Sequence, residues 1–483
     1  MRGELAIVLH THMPYVEGGM SWPDGGIAGD TDRLMSYLRH PGGFGTWPFG
    51  EEWLWEAIAT SYLPLLDVLD AAPPGAVTLS VTPVLADQLE HPGAIERCLQ
   101  FLRIVRPESH RRDVAATRDP ALIAELQRSA AEYAGAARRL AARERGGGLL
   151  RALGVHAAWT SAASHAVLPL LCTERGVALQ AWTGIASHRR RFGSWAGGFW
   201  LPECAHASWL DPLLAEAGVR GGCVELTARF GRGNPRHLRP LRSRSGPVLW
   251  PIDRATIDLV WGREGYPRRG VYRDYHRHTT HRHRAWAIDG RPYDHGAALA
   301  QAERDAADFV ARVRERVAGG GVCVCALDTE LLGHWWYEGV AWLAGVLREA
   351  QRQSLPLTTL DDAAHRHAPG PAPARVEVQT TSWGEGEDLR TWSGPDVAEL
   401  AWPLRTAELE LAARREAPGP RALRELLGLQ ASDWAFLAHR RLAGDYPRER
   451  IRGHLAALHA ALQAPDRVDP RLRGLAPDLA GWG

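Results

Sequence analysis

Short apolar runs recur along the chain, and each ends in polar or aromatic residues. Examples are residues 5–9 (LAIVL), 77–81 (VTLSV), 198–201 (GFWL) and 322–327 (VCVCAL). Runs of this length, rich in Val, Leu and aromatic residues, are typical of buried β-strands. The pattern therefore predicts a series of strands whose ends carry the polar side chains.

Between these runs lie longer stretches with helical periodicity, including residues 53–69, 121–142 and 296–317. Strands that alternate with helices indicate a largely parallel sheet or barrel. In such barrels the active site lies at the carboxyl ends of the strands. We therefore expect functional side chains just after each apolar run.

Two changes in composition along the chain indicate a linker and an insertion. Residues 368–374 (APGPAPA) are typical of a linker, and the chain beyond them is helical in pattern with no strand signal after about Thr381. Residues 211–266 are rich in Gly, Pro and Arg, and we interpret them as an insertion or mobile loop over the barrel mouth, not a core segment. We expect a catalytic barrel at 1–370 with an insertion at about 211–265, and a helical domain at 371–483.

Two acidic residues occupy predicted strand ends. Glu203 follows Trp200-Leu201-Pro202, and Asp328 follows the run at 322–327. A pair of carboxyl groups can cleave a glycosidic bond with retention when they are about 5–5.5 Å apart. From spacing alone, structural hydrogen bonding is the favoured role for each acid, and it is their aromatic neighbours that point to sugar chemistry. Aromatic rings, which stack on sugars or fill a core, flank them: Trp200, Trp209, Trp335, Trp336 and Tyr337.

His10 and His12 lie two positions apart at the end of the first run, so they share one face of a strand. Such a pair can bind a metal, but no third ligand stands nearby in sequence, and substrate hydrogen bonding is the preferred interpretation. The His-rich tract at 272–284 (YRDYHRHTTHRHR) has irregular spacing and many arginines. We interpret it as a solvated loop.

Composition narrows the class of protein. The 483 residues carry a net charge of +1 and no lysine, which excludes a Walker-type phosphate loop and a Schiff-base lysine. Because the net charge is close to zero, the protein has no overall electrostatic attraction to nucleic acid or to a membrane surface. The six cysteines form no CxxC pair, and no apolar run approaches the ~20 residues of a membrane span. We expect a cytoplasmic protein in a reducing environment, with Cys323 and Cys325 as buried core residues.

Five segments together carry a resemblance to a known family: HTHMPY (10–15), TPVLADQL (82–89), FWLPECA (199–205), DTELLGHWWYEG (328–339) and SWGEGEDLRTW (382–392). They occur in the order of the signature regions of glycoside hydrolase family 57. WGREGYP (261–267) and SDWAFL (432–437) resemble segments of its 1,4-α-glucan branching enzymes. The resemblance covers nearly the whole chain.

The resemblance implies a distorted, TIM-like (β/α)7 barrel with an inserted subdomain and a helical C-terminal domain. It also implies a retaining double displacement without metal or other cofactor. Glu203 is the expected nucleophile and Asp328 the expected acid/base. The residues expected to contact substrate are His10, His12, His165, Trp261, His334, Trp335, Trp383 and Trp392.

Three positions depart from the branching-enzyme pattern. His206 stands where the subgroup usually has tyrosine, and Leu389 where it usually has histidine. The span matching the subgroup's mobile loop, residues 227–251, contains no tyrosine, although the subgroup uses one to shield the intermediate from water. His206 or another aromatic residue is the alternative occupant of that place.

The expected function is therefore branching of an α-1,4-glucan such as amylose or a glycogen-like polysaccharide, by a monomer or, alternatively, a dimer. An α-amylase or 4-α-glucanotransferase of the same family is the alternative within the class. A catalytically silent glucan-binding protein and a metal-dependent polysaccharide deacetylase are alternatives from other classes. The intact acid pair disfavours the first, and the absence of an Asp beside His10 and His12 disfavours the second.

Overall fold

A computed structural model describes residues 3–16, 50–91, 93–243, 246–371, 380–465 and 474–482. Strands and helices alternate through most of the chain, and helices alone follow residue 390. The strands within these ranges are β1 (Glu4–Thr11), β2 (Val77–Val81), β3 (Ala157–Ser161), β4 (Phe199–Trp200), β5 (Gly221–Val224), β6 (Leu241–Arg242), β7 (Val248–Pro251), β8 (Val322–Asp328) and β9 (Gly370–Pro371).

Five strands form a parallel sheet in the order β4-β3-β2-β1-β8. The central strands β1 and β8 are buried along almost their whole length, because helices cover one face and the barrel interior the other. Their register pairs His10 with Asp328. Two polar residues predicted at strand ends are thereby neighbours.

A second sheet has the order β5-β7-β6-β9 and joins the first at both edges. Gly198 forms a parallel bridge with Gly221, so β5 follows β4. At the other edge the backbone N–H of Asp253 donates to Val324 at 2.9 Å. The strands β8-β1-β2-β3-β4-β5-β7 therefore close into the predicted seven-stranded barrel.

This closure corrects one expectation. Residues 211–266 were expected to lie outside the core, yet β5 and β7, which fall within them, are barrel strands with buried residues such as Cys223 and Trp250. Each of these two strands has only four residues and lies in a segment rich in glycine and arginine, so the apolar pattern of a strand is not evident there. Where the domains begin and end remains a prediction.

The predicted helices are present, with one irregularity. Residues 53–69 contain a π-helical turn, Ile58–Tyr62, between two α-helices. In the described part of the chain no helix is long and apolar enough to cross a bilayer. The α-helices are Gly50–Ala57, Leu63–Ala71, Pro83–Glu90, Ala94–Gln100, Arg106–Ala116, Pro120–Arg145, Leu149–His156, Glu174–Phe192, Asp211–Glu216, Thr227–Phe230, Arg254–Trp261, His295–Arg316, Gly339–Arg352, Leu360–Arg366, Arg390–Ser393, Ala398–Ala412, Pro420–Gln430, Ser432–Arg440 and Tyr446–Gln463.

The C-terminal helices pack on the carboxyl edge of the barrel. Their apolar cluster, which includes Leu426 and Trp434, also contains Tyr15, Val84 and Ala163. These three residues lie two to four positions after the last residues of β1, β2 and β3. The helical region therefore covers the edge where the polar strand-end residues gather.

We predict that Gly184→Ala destabilises the barrel. Gly184 lies in the helix Glu174–Phe192, and a Cβ there would stand 2.1 Å from the carbonyl oxygen of Ser161 at the end of β3. Because both backbones must separate, we expect the free energy of unfolding to fall by about 1–3 kcal/mol, measured by urea denaturation.

The matched control is Gly453→Ala. Gly453 lies in the helix Tyr446–Gln463 with open space around its Cβ position. Alanine there should raise stability by about 0.5–1 kcal/mol. Equal effects at the two glycines would contradict the packing assigned to Gly184.

Candidate active site

Glu203 and Asp328 both stand at the carboxyl edge of the barrel. Asp328 is the last residue of β8, and Glu203 lies in a short 3-10 turn, Pro202–Cys204, directly after β4. Glu203 has φ 63° and Cys204 has φ 49°, a left-handed conformation that costs a non-glycine residue about 1–3 kcal/mol. The turn aims the Glu203 carboxylate across the barrel mouth.

The Glu203 carboxylate accepts one hydrogen bond on each oxygen. The Trp383 indole N–H donates to Oε2 at 2.7 Å, and the Ser432 hydroxyl donates to Oε1 at 2.9 Å. The backbone N–H of Trp383 also donates to the Glu203 carbonyl at 2.9 Å. Both side-chain donors come from beyond residue 380, so the C-terminal part of the chain completes the site.

Three histidine rings stack beside the acids. The His12 and His165 centroids are 4.1 Å apart, those of His10 and His165 4.8 Å, and His10 lies 4.5 Å from the Trp200 ring. His165 has φ 61° and is buried, which turns its ring under the other two. His12 also contacts the Asp433 carboxylate through Nε2 at 3.1 Å.

Burial raises the pKa of both acids to about 7. For Glu203 the hydrogen bonds from Trp383 and Ser432 oppose this rise, because they stabilise the charged form. For Asp328 the nearby Glu203 charge adds to the rise. Among the described residues none donates a hydrogen bond to the Asp328 carboxyl. The pair therefore favours an ionised Glu203 and a protonated Asp328.

Glu330 forms a third acidic group below this pair. The Tyr62 hydroxyl donates to its Oε1 at 2.7 Å, and the His12 backbone N–H donates to the same oxygen at 3.0 Å. Burial raises the pKa of Glu330 to about 8. Its contacts hold the loops after β1 and β8 together, which is a structural task.

His12, His165 and Asp433 could together hold a metal ion. One ligand atom from each lies within 4.8 Å of the others. Their polar atoms are already engaged, however, since His12 Nε2 contacts Asp433 and His165 Nε2 contacts His10 at 2.9 Å. The donor set fits hydrogen bonding without a cation, and the absence of a metal requirement remains a prediction.

The tryptophans expected to bind substrate differ in exposure. Trp383 touches Glu203, and Trp261 is 48% exposed at the end of the helix Arg254–Trp261. Trp392 is only 4% exposed and packs with Val167 and Val397. The structure therefore makes Trp392 a packing residue without an open ring face, contrary to the expectation that it stacks on sugar.

His334 and Trp335 lie apart from the acids. They line a cavity of about 1000 Å³, and Glu203 and Asp328 are not among its lining residues. Tyr275 and Arg284 share this cavity; the Tyr275 ring lies 4.4 Å from that of Trp335, and the Arg284 guanidinium lies 3.8 Å from the Tyr275 ring. Any substrate contact at His334 or Trp335 would therefore be made within this cavity.

This cavity corrects the interpretation of residues 272–284 as a solvated loop. Tyr272 and His283 are buried, and the Tyr272 hydroxyl donates to Asp305 at 2.6 Å. His283 Nε2 contacts the Ser109 hydroxyl at 2.9 Å. The arginines and histidines suggested solvent, and residues 276–278 and 280 are exposed as expected, but both ends of the tract pack against helices and contribute to a cavity wall.

The structure also locates two of the departures from the branching-enzyme pattern, His206 and the span 227–251. His206 is buried, and its Nε2 contacts Asp211 at 2.8 Å. Its place as an alternative to the shielding tyrosine remains a prediction. The span 227–251 is structured in its described part, where His237 bonds the carbonyls of Ile252 and Gly231 at 3.2 Å. Its aromatic Phe230 is also buried.

The sequence interpretation missed several residues of the site. Ser80 lies one residue before the end of β2, Ser432 and Asp433 begin a C-terminal helix, and Thr82 contacts His12. Serine and threonine are too common for their position alone to mark a site. Only the strand-end position of Ser80 and the SDWAFL segment offered a signal.

A seven-stranded barrel with two partly buried acids at its carboxyl edge is the arrangement of a glycoside-cleaving enzyme. Residues 157–373 match the family model described as glycosyl hydrolase family 57, and residues 411–471 match that described as 1,4-alpha-glucan branching enzyme, C-terminal. Two proteins from Mycobacterium tuberculosis strains, each named a probable 1,4-alpha-glucan branching enzyme, are 32% identical over 99% of this chain and 95% of theirs. The chain belongs to glycosyl hydrolase family 57.

Solved structures agree in fold over the whole chain. The GH57-type branching enzyme of Pyrococcus horikoshii has a TM-score of 0.81 at 26% identity, covering 99% of this chain and 94% of that one. The GH57 branching enzyme of Thermococcus kodakaraensis, solved with glucose and additives, has a TM-score of 0.83 at 25% identity, covering 100% and 96%.

We predict that metal removal leaves the protein unchanged. Dialysis against EDTA should not alter the midpoint of thermal unfolding or the rate of glucan cleavage, because the atoms of His12, His165 and Asp433 already have partners in the chain. Loss of either property on dialysis, with recovery on adding zinc, would contradict this prediction.

Proposed function

We propose that this protein is a 1,4-α-glucan branching enzyme, which cleaves an α-1,4 link and joins the freed chain to a 6-hydroxyl group. The observation that carries the proposal is the acid pair, in which Glu203 has a hydrogen-bond donor on each oxygen and Asp328 has none among the described residues. The names of the relatives, and the branching-enzyme match at residues 411–471, support the choice of reaction.

In the first step Glu203 attacks the anomeric carbon of the glucan. The C1–O bond breaks, and Asp328 gives its proton to the departing oxygen of the released chain. The products are a glycosyl ester on Glu203 and an ionised Asp328. The electrostatics support these roles, since the acid with two donors carries the negative charge and the acid without them keeps the proton.

In the second step Asp328 takes the proton of the acceptor 6-hydroxyl as that oxygen attacks C1. The ester bond breaks and its electron pair returns to Glu203, so both acids regain their starting states. Net retention at C1 follows from two successive displacements. Water can replace the acceptor in this step, and the product is then hydrolytic.

The acceptor needs a surface that holds it near the ester. Trp261 exposes almost half its area, and its ring can stack on the apolar face of a sugar. Trp383 lies beside the nucleophile and has a second role as a donor to it. We propose that these two rings contribute to glucan binding, and that Trp335 does so in the separate cavity.

The rival within the family is hydrolysis or α-1,4 transfer by an amylase or 4-α-glucanotransferase. The observation that favours it is the lack of tyrosine in residues 227–251, where the aromatic side chain of Phe230 is buried. Transfer exceeds hydrolysis only where the site excludes water and aligns the acceptor. Both proposals share an α-glucan as the substrate. The cytoplasmic location and the monomeric state of the protein remain predictions.

We predict that Glu203→Gln abolishes turnover while leaving binding intact. A neutral amide cannot form the glycosyl ester, so kcat on amylose should fall by several orders of magnitude. Glucan affinity, measured by affinity electrophoresis, should change little. Glu174→Gln, an exposed change of the same chemistry, is the control. More than a few percent of residual activity in Glu203→Gln would contradict the assignment.

We predict branching accompanied by appreciable hydrolysis. Amylose is incubated with the enzyme, and new α-1,6 linkages are counted against new reducing ends. Water at the unshielded ester should lower this ratio below that of branching enzymes whose loop carries the tyrosine. An equal ratio would show that the tyrosine is dispensable here, and the absence of α-1,6 linkages would favour the amylase or α-1,4-transferase alternative.

A further inference from the structure

A continuous chain of side-chain contacts leads from the barrel interior to the nucleophile. Ser80 Oγ lies 3.3 Å from His10 Nδ1, and His10 Nε2 lies 2.9 Å from His165 Nε2. His165 Nδ1 lies 2.8 Å from Ser432 Oγ, which lies 2.9 Å from Glu203 Oε1. Each link is within hydrogen-bond distance, and its first four members are buried.

We propose that Ser80, His10, His165 and Ser432 form a directional hydrogen-bond relay that couples the protonation state of Glu203 to the tautomers of both histidines. Ser432 is the positioning residue at its end. The inference rests on the proposed function for the role of Glu203, but the relay itself follows from the contacts.

Both histidines of the relay are neutral. Burial lowers the pKa of each ring well below its usual value, and neighbouring histidines lower it further. Two imidazolium rings with Nε2 atoms 2.9 Å apart would place two donors against each other. A neutral ring has one N–H and one bare nitrogen, so the tautomer of each ring decides which partner it serves.

When Glu203 is ionised, one direction satisfies every link. The carboxylate can only accept, so Ser432 donates to it and accepts from the Nδ1–H of His165. His165 Nε2 is then bare and accepts from the Nε2–H of His10. His10 Nδ1 is bare in turn and accepts from the Ser80 hydroxyl. Every donor points toward the nucleophile.

When Oε1 of Glu203 carries the proton, the whole relay must reverse. The acid donates to Ser432, Ser432 donates to His165 Nδ1, His165 donates through Nε2 to His10, and His10 Nδ1–H donates to Ser80. Any mixed arrangement leaves one link with no hydrogen or with two opposed hydrogens, and an unmade bond between buried groups is costly. The relay therefore has two states, and Glu203 selects between them.

Several other groups face Glu203. Trp383 donates to the opposite oxygen, His165 Nδ1 lies 3.7 Å from Oε1, and the charges of Asp433 and Asp328 lie close by. The backbone N–H of Ser432 also donates to the His165 carbonyl at 3.3 Å. That contact fixes the distance between the two side chains, so the geometry of the last link does not depend on the hydroxyl alone.

Removing the Ser432 hydroxyl should raise the pKa of Glu203, since one of two donors to the charged form is lost. The nucleophile must be ionised, so the acidic limb of the pH profile of kcat/KM on amylose should move upward, by about one pH unit for Ser432→Ala. Ser432→Thr keeps a hydroxyl, so its acidic limb should lie at the same pH as that of the wild-type enzyme. The control Ser164→Ala removes a buried serine hydroxyl that bonds Gln180 and should leave the limb in place.

The second measurement needs no activity. Nitrogen-15 NMR of the wild-type protein with labelled histidine reports which ring nitrogen carries hydrogen, with His10→Asn and His165→Asn used for assignment. We expect hydrogen on His165 Nδ1 and His10 Nε2 above the titration of Glu203, and on His165 Nε2 and His10 Nδ1 below it. This result is obtained even if Ser432→Ala does not fold.

The outcomes separate the two proposals. Tautomers that switch together in a protein that neither cleaves nor transfers glucan would uphold the relay and refute the proposed function. Tautomers that stay fixed through the titration, or an acidic limb that Ser432→Ala does not move in an active enzyme, would overturn the relay.

Discussion

The partly buried carboxylate of Glu203 sets the main constraint on this structure. A charge removed from water needs donors on its oxygens, and those donors come from Trp383 and Ser432. Neither residue belongs to a barrel strand, so the barrel alone does not hold an ionised nucleophile. The helices beyond residue 390 therefore act as part of the site. The apolar cluster around Leu426 and Trp434 holds these helices against the barrel edge. It thereby also holds Ser432, which donates to Oε1 of Glu203.

The strained backbone of the site depends on that packing. His165, Glu203 and Cys204 all have positive φ although none is glycine, and each such residue costs about 1–3 kcal/mol. The cost is offset by contacts that only these conformations allow. Glu203 reaches both donors from its turn, and the His165 ring lies between His10 and Ser432 while its carbonyl accepts from the Ser432 backbone.

Strand ends were the part of the site that sequence could locate. The apolar runs near His10, Glu203 and Asp328 predict a parallel sheet or barrel with polar strand ends, because strands buried on both faces are almost continuously apolar. The roles of Glu203 and Asp328 as a catalytic pair come from the family resemblance and remain predictions. Strands β5 and β7 were missed, since each has four residues and lies among glycines and arginines. Trp392 and Trp261 looked alike in sequence, yet one is buried and the other exposed, a difference set by tertiary packing. Ser80 and Ser432 are 352 positions apart, and no local pattern relates them.

The relay also explains why a histidine pair at a strand end need not indicate a metal. His10 and His12 share one face of β1, as metal ligands would, but His10 uses both ring nitrogens on Ser80 and His165. A sugar hydroxyl could reach His10 only by breaking one of those bonds, which would disturb the donor on Glu203. His12 differs, because its contacts with Thr82 and Asp433 lie on the partly exposed side of the cluster. The two histidines of one motif thus have different contacts: His10 belongs to the relay that ends at the nucleophile, and His12 contacts Thr82 and Asp433.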